Sequence, residues 1–469
     1  MSYPRPVMVV LACTVLLSNA FADDWPQYLG PNRNSISPQK GLLRAWPANG
    51  PEVLWTASVG RGFGGPVVKA GKVYLLDRDD KVGDNLRCLD LSNGKELWHF
   101  AYDAPGTVMF PGSRSVPAAD GSNIYSCGHN GDIYCIDINS RKPVWHKNVW
   151  TDFGGSPITG SSGFGGPGGG GPGPGGAAEG RFPIWAITQN PLIYGDLLIV
   201  ASQAPKAGVV GYEKLTGNVK WTTPSLGFVG YVSPAIVKVD GKDHVVMITP
   251  STNPFMGGGG GPTEMGKVVG IEPLTGKVLW SYTNWYCHVS VPSAVDAGNN
   301  RVLVVGGYEL GAMMIKVEKQ ADGSYGASEL FRTKQFGDQT KPPIVYNGYF
   351  YAEFGTNDRH DGMVCMGMDG EIRWKTKRSP DFNKGSMILA DGLILASDGA
   401  RSLYLVEPNP SEFKQLASAE LFPEGTAGSE NDIASRVGGR NQNWAPMGLA
   451  DGKLLLRDQT HLKCLRIAQ

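Results

Sequence analysis

Eight places along the chain carry side chains suited to holding a small ligand: Phe63, Arg114, Gln189, Tyr231, His288, Lys341, Lys384, and Asn443 with Trp444. After each of them except Lys384 a proline follows within four residues and opens an apolar, strand-like run. Arg114, His288, Lys341 and Lys384 are cations or, for imidazole, a group that titrates near neutrality. None of the set is acidic. If one architecture brings these positions together, they form a mouth that attracts a carboxylate, phosphate or sulfate. The plainer reading is a water-filled channel lined by polar groups. Neither is a catalytic constellation, and no Ser/His/Asp or paired-carboxylate spacing supplies one elsewhere.

The other reactive side chains point away from chemistry. Cys88 and Cys135 each stand ten residues before a tryptophan, at the place where Gly211 and Gly270 precede Trp221 and Trp280; Cys365 and Cys464 fit the same place. A position shared by cysteine and glycine is small and crowded, so these thiols are expected to be reduced and buried. Cys127 and Cys287 fall outside the pattern. No CxxC spacing supports zinc or a redox dithiol. His129 stands alone, and Asp358-Arg359-His360-Asp361 sets a cation among its acids, whereas a metal needs three or four convergent ligands. No metal site is expected.

The elements that must position the mouth are set out by a repeat. Residues 88–98 read as a strand, an Asn93-Gly94 turn and a second strand carrying Trp98. Glycine supplies the positive φ of such a turn, and the tryptophan covers a face of the following strand. The unit recurs about every fifty residues, the signature of a propeller blade. Trp98, Trp145, Trp221, Trp280 and Trp374 mark successive copies, Phe331 and Phe422 take the place in two looser ones, and an eighth copy from Pro446 ends before its fourth strand. Residues 51–58, with Trp55 but no preceding turn, are that missing strand. The prediction is an all-β, eight-bladed propeller of four-stranded antiparallel blades, closed by pairing the N-terminal strand with the C-terminal three, because closure removes exposed edges.

Ahead of the ring, residues 1–22 carry Arg5, an apolar run and Ala20-Phe21-Ala22, which reads as a cleaved secretory signal. Residues 23–50 read as an irregular arm lying across a surface, and residues 51–469 as the propeller. No later run is apolar enough to cross a membrane. With 43 basic and 43 acidic residues, the chain offers nothing to nucleic acid. Short turns collect on one face, whereas the long insertions, the glycine-rich 154–180 and 253–262 and residues 424–444, collect on the other, the rim where binding usually lives.

The segments 89–98, 212–221 and 271–280, with the opening Trp25-x-x-Tyr28-x-Gly30, resemble the pyrroloquinoline-quinone (PQQ) type propeller repeat. That is the family of the quinoprotein alcohol dehydrogenases and of the outer-membrane β-barrel assembly lipoprotein. The dehydrogenase branch implies PQQ with calcium, a catalytic aspartate and often an adjacent Cys-Cys pair, oxidising an alcohol or sugar. This chain has no such pair, and Asp338 and Asp381 lie near the strand entries without acidic partners. The expectation is therefore a non-catalytic binding propeller without a cofactor, monomeric, periplasmic or secreted, taking a protein or polymer on its loop-rich face and a small anion in its channel. The alternative is the PQQ-dependent dehydrogenase. Trp55, Trp98, Trp145, Trp221, Trp280 and Trp374 are expected to be structural.

Overall fold

The computed structural model describes residues 24–108, 110–158, 161–162, 182–228, 230–252, 264–308, 310–355, 359–422 and 442–469. The predicted secretory signal, most of both glycine-rich insertions, much of 424–444 and Asp358 lie outside them. The described chain forms seven four-stranded sheets and one five-stranded sheet, arranged as eight antiparallel blades around an axis, and a separate two-stranded pair of Thr107–Val108 with Ser161–Ser162. Blade one is Val67–Lys69, Lys72–Asp79, Gly83–Asp90 and Glu96–Asp103. In blade eight the strands Gly448–Ala450, Lys453–Arg457 and His461–Arg466 are completed by Val53–Ser58, which pairs Trp55 with Cys464 and Ser58 with His461. The ring closes as the repeat predicts.

The same irregularity recurs in every blade. The residue opposite the third-strand small position is followed by a register shift: Cys88 faces Trp98, Cys135 faces Trp145, Gly211 faces Trp221, Gly270 faces Trp280, Met314 faces Phe331 and Cys365 faces Trp374. Such bulges turn a side chain outward and raise the local twist. In blade seven the facing pair is Leu405 and Ala417. Phe422 therefore does not hold the tryptophan place, because it lies beyond the end of the strand Lys414–Glu420. Sequence spacing alone does not locate the bulge.

Four of the rings cover a glycine in the next blade. A Cβ on Gly94 would meet Trp55 at 2.5 Å, on Gly217 Trp145 at 2.7 Å, on Gly276 Trp221 at 2.5 Å, and on Gly370 Phe331 at 2.9 Å. Those turns need glycine for their positive φ and for this close approach. The indole N–H groups of Trp55, Trp145 and Trp374 donate across the same joints to the carbonyls of Leu91, Lys214 and Asn409. The joints are not equivalent, however. Trp280 donates within its own blade, to His244 Nδ1 at 2.9 Å, and the Trp221 indole N–H has no partner. All six cysteines of the described residues are free and buried.

The arm runs across the ring. Trp25 bridges to Val68 in blade one, and Pro26 accepts from the Ala119 N–H in blade two. Ile36–Ser37 then joins blade seven as a parallel fifth strand beside Leu389 and Ala390, and Leu42 bridges to Ala468 beside blade eight. Between these anchors the Arg33 guanidinium donates to the carbonyls of Pro191 at 2.9 Å, Asn190 at 3.3 Å and Pro234 at 3.1 Å, in blades three and four. Blades three and seven are opposite one another in a ring of eight, so residues 33–37 cross the axis. The arm is a plug entering from the short-turn face.

Candidate functional site

The mouth lies where the connections between blades enter the innermost strands, and hydrogen bonds between neighbouring entries hold it as a ring. Phe63 N–H donates to Ser113, Val116 N–H to the Asn190 amide oxygen, Thr188 hydroxyl to Tyr231, Tyr231 N–H to Ser290, and Met447 N–H to the Ser386 hydroxyl. The Gln459 amide donates to Gly62 and links blade eight to blade one. These bonds fix the backbone from which the predicted residues project.

On one arc the structure assembles a stack. Arg114 lies over the Phe63 ring at 5.4 Å, Phe63 stacks on Trp444 at 5.5 Å, and the Lys384 ammonium lies 4.6 Å from the Trp444 ring centre. Phe110 packs edge-on to Phe63 at 6.4 Å and tilted on Trp444 at 5.9 Å. Cation and ring attract through the ring quadrupole, by about 0.5–2 kcal/mol per pair. Phe110 was not legible from sequence: it stands four residues before Arg114, in a connection that the repeat does not constrain. On the other arc Tyr231 packs on Trp185 at 5.1 Å and His288 on Tyr308 at 5.7 Å.

Of the four predicted cations, Arg114, Lys341 and Lys384 stand on this arc and His288 on the other. Lys341 is a brace: its ammonium donates to the Thr340 hydroxyl at 3.1 Å, to the Lys384 carbonyl at 3.3 Å and to the Trp444 carbonyl, joining blades six, seven and eight. An ammonium has three N–H donors, and all three are used. Arg114 donates to the carbonyls of Gly112 and Phe110 and so braces its own loop. Burial lowers the His288 pKa, which favours neutral imidazole. Burial also lowers Lys341 and Lys384 to about 8 each.

Acids stand beside this arc, although none occupies an entry position. Burial raises Asp338 to about 6, and its oxygens accept from the backbone N–H groups of Thr340, Lys341 and Glu353. Burial first, and then the charge of Asp338, hold Glu353 well above the ordinary glutamate range. Glu353 escaped notice because it lies in a second strand, Tyr349–Gly355, rather than at a strand entry. Several buried polar atoms here have no hydrogen-bond partner: both amide atoms of Asn443, the amide oxygen of Gln189 and Nδ1 of His288. Asn443 is 1% exposed and Gln189 3%.

Calcium takes six to eight hard oxygens. Here a lysine ammonium stands with Asp338 and Glu353, the Asp338 oxygens are taken by backbone donors, and among the described residues no cluster of three or more His, Cys, Asp or Glu side chains is arranged for a metal ion. This donor set does not fit a calcium-bound quinone. Burial, and then the charges of Arg78 and Arg114, lower the His129 pKa to about 3, and its Nδ1 lies 2.8 Å from the Asn130 amide oxygen. His360 pairs instead with Asp381 at 2.6 Å.

Eight closed blades with tryptophan-to-glycine joints define a PQQ-type β-propeller. The chain belongs to the family described as outer membrane protein assembly factor BamB, whose model matches residues 32–161 and 82–353. Among solved structures it is similar to BamB from Moraxella catarrhalis, at 11% identity and TM-score 0.51, covering 88% of this chain and 97% of that one. It is similar also to the quinohemoprotein alcohol dehydrogenase from Comamonas testosteroni, at 12% identity and TM-score 0.57, covering 95% and 81%. A europium-containing methanol dehydrogenase matches at 15% identity and TM-score 0.54, covering 92% and 89%. These likenesses show the fold. Comparison with curated proteins gives no match.

Proposed function

We propose that the protein is an exported, non-catalytic binding propeller that takes a protein or polymer partner on its loop-rich face. The observation that carries this reading is the stack of Arg114, Phe63, Trp444 and Lys384 at the mouth. Aromatic and cationic side chains held on a rigid ring are the anchors that dominate binding surfaces. The lysine and arginine are occupied in packing on the rings. Family membership supports the same reading, since the matching model is named for an assembly factor. No helix among the described residues is long and apolar enough to cross a membrane, and periplasmic or secreted placement rests on the predicted secretory signal.

The test is site-specific photo-crosslinking in cells of the native host, with the crosslinker at Phe110 beside the mouth or at Asp391 on the short-turn face. Partner adducts are expected from Phe110 and not from Asp391, in the periplasmic or secreted fraction. The dehydrogenase reading makes the opposite forecast. Added PQQ and Ca²⁺ would leave quinone absorbance after desalting and support dye-linked oxidation of alcohols or sugars, and that result would displace the binding proposal.

A further inference from the structure

The arm is fastened at both ends and strained between them. At its start Asp24 pairs with Lys69 at 3.0 Å, and Trp25 exchanges both backbone hydrogen bonds with Val68. At its end the Asp391 carboxylate accepts from the N–H groups of Gly41 and Leu42 and from Arg44, and the Leu43 N–H donates to Ile467. In the middle Leu29, Arg33 and Ser35 take left-handed backbone, at φ of 60°, 55° and 60°, a region that residues other than glycine rarely adopt. The pairing of this stretch to blade seven is only two residues long. Strained backbone persists where its surroundings hold it, and it gathers at clamps and switches.

What holds the middle is Arg33, and Arg33 in turn holds the mouth. Its guanidinium donates to the carbonyls of Asn190 and Pro191, which open blade three, and of Pro234, which opens blade four. Asn190 carries the contact onward. Its amide oxygen accepts from the Val116 N–H at 2.6 Å, two residues after Arg114, and its backbone N–H and amide nitrogen both donate to the Ser233 hydroxyl, at 3.0 and 2.9 Å. The Ser293 hydroxyl donates to the Ser233 carbonyl at 2.9 Å. One network therefore runs from the arm through the entries of blades two, three, four and five. Lys341 does the matching work for blades six, seven and eight, but from inside the ring. We propose that residues 28–37 are a reversible strap: when they lift toward the short-turn face they withdraw Arg33 and loosen the mouth along blades two to five, while Val53–Ser58 keeps the ring closed. The binding face proposed above thus has a control point on the opposite face. Linkage is reciprocal, so a partner that prefers the loosened mouth also releases the strap.

Hydrogen exchange of the full chain, read by mass spectrometry, tests both halves of the mouth at once. Arg33→Met is expected to speed exchange in residues 114–118, 188–191 and 231–236 by about tenfold or more, the equivalent of a lost hydrogen bond. Residues 338–345 and 443–447, braced by Lys341, should keep their wild-type rates. Arg33→Lys, which keeps the charge and loses the fork, should fall between the two. Ser37→Cys with Ala390→Cys, at positions opposite one another in the pairing, should lock the strap when oxidised. The locked chain should exchange more slowly than wild type in the same three segments and give fewer Phe110 crosslinks, and reduction should restore both. Unchanged exchange in Arg33→Met would overturn the strap as a control of the mouth, as would an equal rise in both halves, which reports general loss of stability. Exchange that moves as expected without any Phe110 crosslinks leaves the strap standing and removes the binding partner instead.

Discussion

The blade joints and the channel mouth are built from the same repeat and treat polar groups in opposite ways. At the joints a tryptophan or phenylalanine covers the next blade's glycine, and three of the indoles donate across the gap. At the mouth the repeat position changes from blade to blade, and the Asn443 amide and the Gln189 amide oxygen are buried without hydrogen-bond partners. A buried polar group with no partner reduces stability. Repetition of ring over turn marks what holds the propeller together; variation marks what the ring is for.

The largest effect should come from removing the closing strand. Deleting residues 24–58 takes away Val53–Ser58 and leaves His461–Arg466 as an open edge. The truncated protein should aggregate on size exclusion and lose its cooperative thermal transition. A monomeric product with an unchanged melting temperature would mean that the joints alone sustain the ring.

Next come the joints. Trp145→Ala removes a buried ring that covers Gly217 and donates to Lys214, and should cost about 3–5 kcal/mol in denaturant unfolding. Ala417→Gly, at the equivalent place of blade seven, leaves no comparable cavity and should cost about 1 kcal/mol or less, from backbone freedom alone. Equal losses would show that the tryptophans do not distinguish the joints.

At the mouth the sign should reverse. Asn443→Leu keeps a similar volume and removes two buried groups without partners, so it should stabilise the fold by about 1–3 kcal/mol. A destabilised Asn443→Leu would show that the amide is satisfied in solution.

The smallest effect is a pH signature of the acid and lysine arc. Asp338 has a folded pKa of about 6, raised by burial above its ordinary 3.8. Between those values the folded state holds the extra proton, so this site contributes stability in acid that is lost as pH rises to about 6. Lys384 is lowered from 10.5 to about 8, so in that interval the unfolded state holds the extra proton and stability rises with pH. The six buried thiols, raised by burial, pull the other way over pH 8 to 10, so the check is the difference: Lys384→Met should lose the lysine's rising contribution and show a more negative slope of denaturant midpoint against pH than the wild type; identical slopes would remove Lys384 from the cause.

The joints were legible in the sequence because Trp and Gly recur in register, and ring closure followed from the lone strand at Trp55. Phe422 misled because spacing does not show a bulge, and the structure gives its place to Ala417. At the mouth the positions were legible and their bonding was not. Lys341 reads as a free cation until the Trp444 carbonyl, 103 residues away, is seen to accept from it. The arm was legible as a surface segment, but its passage across the axis depends on Arg33 finding the carbonyls of two distant blades.

The closing strand also sets an order of events for the chain. Val53–Ser58 waits for His461–Arg466, a partner about four hundred residues later, and Glu52 meets Arg466 at 2.7 Å only when that pairing is made. Contacts of such long range come late and slow folding. Through synthesis an early strand with an unpaired edge must stay apart from other chains, while blades one to seven assemble locally. Blade eight is therefore the clasp: a single strand from the start of the ring joins three from its end, and the closed circle depends on that pairing.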